Sequence, residues 1–281
     1  MNSYQKKQNI KILMYHRVIK SGEQNNATFY DVREEDFRQQ LQILDSFNFT
    51  PITFEDYNLY LDGKLTLPKK PIILTFDDGH TDMKETALPV LREFGMKAVV
   101  FVLGNRKMKY AEWDQKKKNG KTRLMSDDQI LDIRAEGFEI GAHSMTHPTL
   151  PNLTTDELKG EVLGAKYAIE DLLGEEVSSF AYPFGRVNKK VQSTVAESGY
   201  KFGCGVYTGP PRFGDNDYDI RRLAITYNIN TVRFLLRLLT PYQYVEWMYG
   251  KLRNNRQPSG AELMDKQASM RDYDITITNN F

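Results

Sequence analysis

Short apolar runs alternate along this chain with segments whose apolar residues recur every three or four positions. Lys11-Ile-Leu-Met-Tyr-His16 reads as a buried strand, and Phe37, Leu41 and Leu44 then fall on one face of a helix. Thr50–Thr53 predicts a second short strand and Phe54–Leu61 a short helix. The clearest strand is Pro71–Phe76, an apolar run followed at once by Asp77-Asp78-Gly79. A helix over Thr86–Phe94 leads to a strand over Lys97–Leu103. Capping boxes at Ser126–Gln129 and Thr154–Glu157 open two more helices, ending near Gly137 and at Gly174. The second of these places Leu158, Val162, Ala165, Ile169 and Leu172 on one face. Strands are expected over Phe138–Ala142, Val177–Tyr182, Tyr200–Val206 and Asp219–Thr226, with a helix over Lys189–Ser198. Such alternation predicts a mostly parallel sheet, and seven or eight units predict closure into a barrel.

Two segments interrupt the alternation. Asn105–Arg123 holds eight Lys/Arg and two acids where a strand-to-helix loop is expected. Arg233–Arg256 reads as an aromatic, basic helix, with five basic residues against Glu246, and a polar tail follows. The expected organisation is a barrel over 1–230, an amphipathic helix over 231–256 packed on the barrel or on a membrane surface, and a tail over 257–281.

Composition then narrows the chemistry. The 281 residues include 38 Lys+Arg and 37 Asp+Glu, four His and one Cys. One cysteine excludes an intramolecular disulfide and a cysteine-built zinc site, and Cys204, between two glycines, reads as small core filler. A net charge of +1 gives no global field for nucleic acid, so no nucleic-acid partner is expected. Met1–Gln8 is polar and Ile10–Tyr15 falls short of a signal sequence, so the expected location is cytoplasmic, peripheral to the inner face of the membrane. Any metal site must draw on four histidines and carboxylates.

Strand Pro71–Phe76 delivers Asp77 and Asp78 at its C-terminal end, the functional face of parallel α/β folds. Asp-Asp-Gly is also good turn chemistry. Strand Phe138–Ala142 delivers His143-Ser-Met-Thr-His147 at its own C-terminal end, and histidines four apart can converge on one cation. Two imidazoles and one carboxylate make a three-ligand site with open positions, the layout of a hydrolytic zinc centre, and the second carboxylate becomes a general base. Spacing alone leaves open which aspartate is ligand and which is base. An iron oxygenase uses the same ligand types but usually sits on a β-sandwich-like barrel, which this sequence does not suggest.

Thr75-Phe-Asp-Asp-Gly79, His143-Ser-Met-Thr-His147 and Ala181-Tyr-Pro-Phe-Gly185 together resemble the first three motifs of the polysaccharide deacetylases of carbohydrate esterase family 4, the NodB-homology domain, over roughly residues 10–230. The resemblance implies a distorted (β/α) barrel of about seven strands, TIM-barrel-like. It implies Asp78, His143 and His147 as ligands of Zn2+ (or Co2+/Ni2+) and Asp77 as general base. The Phe184 backbone N–H is implied for the oxyanion, and Tyr182, Pro183 and Phe184 for a wall of the sugar subsite, with core packing of the two aromatic rings as the alternative. Two features depart from the family. Ala181 stands where an Arg normally orients the base, and Arg222 is the candidate replacement. The family's late Leu-x-x-His motif, which supplies the general acid, has no match because no His follows His147. Leu13-Met-Tyr-His16 has that pattern at the first strand, as in the poly-N-acetylglucosamine deacetylase subgroup with permuted motif order, so His16 is the expected acid.

The activity expected is metal-dependent removal of N-acetyl groups from amino sugars in a polysaccharide or glycoconjugate. A deformylase or deacetylase of a lipid-linked amino sugar, with membrane contact through 233–256, is the alternative. A carbohydrate-binding pseudoenzyme on the same barrel is a further one, against which Asp77 and the complete ligand set argue.

Overall fold

The structure, a computed structural model, describes residues 10–20, 22, 28–114, 122–206, 214, 216–241 and 245. The polar tail over 257–281 and most of the aromatic segment after Pro241 lie outside these residues, as do Lys116, Lys117, Lys118 and Lys121 of the basic loop.

The chain runs β1 (Lys11–Tyr15), β2 (Arg17–Ile19), β3 (Asp31–Arg33), α1 (Glu34–Ser46), β4 (Thr50–Ile52), α2 (Phe54–Leu61), β5 (Pro71–Phe76), α3 (Leu88–Glu93), β6 (Val99–Val102), α4 (Asp127–Ala135), β7 (Glu139–Ala142), α5 (Thr155–Leu173), β8 (Ser179–Ala181), α6 (Lys189–Glu197), β9 (Phe202–Cys204), β10 (Leu223–Ala224) and α7 (Thr231–Leu239). All pairings between these strands are parallel. Seven strands follow the order β10–β1–β5–β6–β7–β8–β9, and β4 adds to the N-terminal half of β5. The ends of this path meet where Cys204 pairs with Ile220, just before β10. The result is a curled parallel sheet wrapped by helices, a distorted (β/α) barrel.

Period-two alternation separates two apolar cores. Ile12, Ile73, Val99 and Phe101 belong to one cluster, while their neighbours Leu13, Leu74, Val100 and Val102 belong to another. Successive strand residues face opposite sides. The smaller cluster, with Phe202 and Cys204, therefore fills the barrel, and the larger lies under the helices. Burial pushes the Cys204 thiol up to about 12, which leaves it an inert filler.

Both expected capping boxes form. Ser126 accepts from the Gln129 N–H and Gln129 accepts from the Ser126 N–H; Thr154 and Glu157 make the same reciprocal pair. Gly174 ends α5 in a left-handed conformation at φ 72°. The helix expected from Thr86 begins instead with a π-helical turn over Met83–Ala87. The strand expected over Asp219–Thr226 shortens to two residues, because Ile220 turns to pair with Cys204 before Leu223 and Ala224 join β1. The helix expected over 231–256 runs from Thr231 to Leu239, seating Phe234 and Leu238 on the barrel. Lys11 closes its end by donating to the carbonyls of Arg237 (2.6 Å) and Thr240 (3.0 Å).

Candidate active site

Three loops, leaving the C-terminal ends of β5, β7 and β8, converge at one end of the barrel. Their backbones are unusual. Five non-glycine residues among those described adopt positive φ, and four of them lie in these loops: Asp78 (74°), Ser144 (64°), His147 (64°) and Phe184 (57°). Each such residue costs roughly 1–3 kcal/mol and persists only where its surroundings over-determine it. The strain turns side chains that would otherwise follow separate strands towards a common point.

Asp78 Oδ1 lies 3.2 Å from His143 Nε2 and 3.3 Å from His147 Nε2, and all three side chains are buried. His143 donates its Nδ1–H to the Ala181 carbonyl (2.7 Å), which leaves Nε2 as the atom that faces Asp78 and binds a metal once deprotonated. Asp78 Oδ1 is buried and accepts no hydrogen bond. Acceptors thus face one another across a gap, which a divalent cation resolves. Donor chemistry and convergence both fit such an ion.

Burial alone would raise Asp78; the facing imidazoles of His143, His147 and His80 reverse this and hold its carboxyl well below the usual range. His147 is pushed down by burial, more than Asp78 restores. Burial also presses His143 down, but Asp78 and Asp77 outweigh it and raise it. A cation must displace that proton.

Asp77 points to a different partner. Arg222 reaches it bidentately, Nη1 to Oδ1 at 2.6 Å and Nη2 to Oδ2 at 2.7 Å. The same guanidinium donates to the Gly205 carbonyl (3.0 Å) and the Thr75 hydroxyl (3.1 Å) and lies over the Phe101 ring. Burial would raise Asp77, but Arg222 first and His143 second hold it below its ordinary value. Arg222 thus reaches Asp77 from the residue before β10, the strand next to β1 in the sheet.

His16 follows β1, whose Tyr15 carbonyl accepts the Asp77 N–H (3.0 Å). It lies within electrostatic reach of both aspartates, and burial lowers its pKa more than they raise it. Its ring packs on Tyr30 at 4.4 Å. On the opposite flank His147 stacks on Trp113 (4.0 Å, 19°) and meets the edge of Phe184 (4.5 Å).

The expected wall of Tyr182, Pro183 and Phe184 reduces to Phe184. Tyr182 is fully buried, with its hydroxyl donating to the Tyr218 carbonyl (2.8 Å), and Pro183 is buried too. A side chain with no surface cannot line a subsite. Phe184 is 45% exposed beside His147.

Four residues near the site carried no signal in the sequence that was used. His80 places Nε2 3.1 Å from Asp78 Oδ2, the oxygen turned away from the other histidines. Glu161 of α5 accepts the N–H groups of Met145 and Thr146 (both 2.9 Å) and the Thr146 hydroxyl (2.6 Å), clamping the loop between His143 and His147. Trp113 and Tyr30 cover the two flanking imidazoles. His80 was the findable one, two positions from Asp78; the others act over distances in sequence that leave no local spacing.

The family model described as polysaccharide deacetylase matches residues 64–203. A Bacillus subtilis protein, YxkH, whose name places it among the polysaccharide deacetylases, is 25% identical over 76% of this chain and 71% of its own. The poly-beta-1,6-N-acetyl-D-glucosamine N-deacetylase of Staphylococcus aureus strain MRSA252 is 24% identical over 76% of this chain and 78% of its own. Among solved structures, the Streptococcus pyogenes deacetylase PplD in complex with acetate superposes with a TM-score of 0.70 at 25% identity, covering 83% of this chain and 98% of that one.

Proposed function

This chain carries a polysaccharide deacetylase domain, and on that premise we propose that it removes N-acetyl groups from N-acetylglucosamine units of a glycan in a reaction that depends on a divalent metal, zinc, cobalt or nickel. The observation that carries this reading is the meeting of Asp78, His143 and His147 beside an Asp77 that is separately held by Arg222. A cation bound by the three ligands would polarise the amide carbonyl and acidify a water.

The protein's own groups do the rest. Asp77, kept ionised and oriented by Arg222, takes the proton from the attacking water. The backbone N–H of Phe184, in its left-handed turn, donates to the oxyanion. His16, within electrostatic reach of both aspartates, gives a proton to the departing amine. Poly-N-acetylglucosamine is the substrate supported by the Staphylococcus relative's name.

Metal analysis and acetate release test the reading together. Purified protein should bind zinc, cobalt or nickel and free acetate from a panel of β-1,6 and β-1,4 N-acetylglucosamine oligomers and lipid-linked sugars. Failure to bind any of these metals and to release acetate from every substrate overturns it. His16→Ala should keep the metal and lose most turnover; loss of metal would make His16 structural instead.

A second reading, contact with an anionic membrane at its cytoplasmic face and a lipid-linked sugar as substrate, has one observation in its favour. Val232, Leu236 and Leu239 form an exposed stripe on α7 beside Arg233. No helix among the described residues is long and apolar enough to cross a membrane. Co-sedimentation with anionic vesicles separates the two readings: absence of binding removes the second.

A further inference from the structure

Large aromatic side chains are ordinarily buried, and a group of them in the open marks a contact surface. Phe29 (38% exposed), Tyr30 (37%) and Tyr227 (58%) form such a group at the catalytic end of the barrel. It is continuous with the site: His16 packs on Tyr30 at 4.4 Å, Tyr30 meets Phe29 at 5.1 Å, and Phe29 meets Tyr227 at 6.0 Å. The Tyr227 N–H donates to the Phe29 carbonyl (3.2 Å), which ties the loop before β3 to the loop after β10. Beyond Tyr227 opens a cleft of about 180 Å³ whose lining includes Arg33, Asp36, Gln39, Gln40, Asn228 and Asn230. The four amide oxygens there accept from groups within the protein.

We propose that Phe29, Tyr30 and Tyr227 form a glycan subsite on the His16 side of the centre, holding the sugar rings next to the one that is deacetylated. The proposal rests on the deacetylase reading and adds which substrates it favours. Flat apolar ring faces with hydroxyl tips match the C–H faces and hydroxyl rims of pyranose rings. Charge favours a neutral chain over an anionic ligand, because Arg33 at the cleft is bound bidentately by Asp36 (2.6 and 2.8 Å). Trp113 and Phe184 stand against His147, so aromatic rings border both His16 and His147. Binding energy gathered on remote rings can then serve the reacting one.

The test compares β-1,6-linked N-acetylglucosamine dimer and pentamer as substrates for wild type and for the Phe29→Ala/Tyr227→Ala double variant. The pentamer-to-dimer ratio of kcat/KM is expected to fall about tenfold in the variant. The Phe29→Tyr/Tyr227→Phe variant, which keeps the rings, should hold the wild-type ratio and controls for folding. An unchanged ratio in the double alanine variant overturns the proposal. If wild type releases acetate from neither oligomer, the deacetylase reading fails instead. Calorimetric binding of the pentamer to metal-free protein then decides the subsite: weaker binding by the alanine variant keeps it, and equal binding removes it.

Discussion

Arg222 is 2% exposed and spends its donors on Asp77, Thr75 and the Gly205 carbonyl. Removing it would leave Asp77 buried and uncompensated, a loss of roughly 3–5 kcal/mol by analogy with other broken buried pairs. Arg222→Lys keeps a charge but loses the planar fork. We expect Arg222→Lys to fold, with kcat/KM lowered at neutral pH and the acidic limb of its pH profile moved to higher pH. The sign follows from the causes acting on Asp77: burial raises it and Arg222 lowers it, so a weaker partner lets burial win. A pH profile parallel to wild type would show that Arg222 does not set the ionisation of Asp77. His80 is expected to act on the metal through Asp78. His80→Phe should weaken zinc binding about 10–100-fold by competition titration, the usual cost of losing a group that orients a ligand. His80→Gln, which can still donate to Asp78 Oδ2, should recover part of that affinity. Affinities that match wild type in both variants would remove His80 from the centre.

At the scale of elements, the loop from His143 to His147 is held from two sides. Glu161 clamps it from α5, and Gly104 lets it approach β6: a Cβ on Gly104 would lie 2.5 Å from the Met145 sulfur and 2.6 Å from the Ala165 Cα. The sulfur can move aside, but the helix backbone cannot. Gly104→Ala is therefore expected to cost about 1–3 kcal/mol in a urea melt, and to weaken zinc binding because the displaced loop carries both histidines. A variant that melts and binds as wild type would show the loop to be self-supporting. This arrangement also marks how far the sequence could be read. The strand ends carrying Asp77, Asp78, His143 and His147 were legible because local periodicity and capping boxes place them, and the parallel barrel followed from their alternation. Glu161 and Gly104 were not, since their partners lie 15 or more residues away with no repeating interval. The pair β2 and β3 was missed for another reason: each is three residues long, too short for alternation to show. Of the two places its motif allows, subsite wall and core, Tyr182 takes the core beside Phe180, because motif membership says nothing about burial.

For the molecule as a whole, the two ends of the barrel differ in what they ask of their charges. The C-terminal end keeps Asp77 and Asp78 ionised. At the other end Glu139, first residue of β7, is pushed up to about 7, by burial first and by the nearby Glu55 carboxylate second. Its carboxyl accepts from the Ser179 hydroxyl (2.6 Å) and from the Glu55 N–H (2.9 Å) at the start of α2, tying that helix to the sheet. Those bonds only partly offset the cost of burying charge. An acid whose folded value lies above its unfolded one binds more protons when folded, so stability falls as pH rises between about 4.5 and 7. Across that window the loss amounts to about 3 kcal/mol as an upper figure. Glu139→Gln can still accept from Glu55 and can donate to Ser179 Oγ, while its amide does not titrate. Urea melts at pH 5 and pH 8 should therefore show the variant gaining on wild type by up to that amount as pH rises. The centre lies at the opposite end of the strands, so this gain belongs to the scaffold and should appear equally in protein with and without added zinc. Parallel stability curves for wild type and variant would mean that Glu139 titrates as an ordinary carboxyl and that its burial is relieved by water.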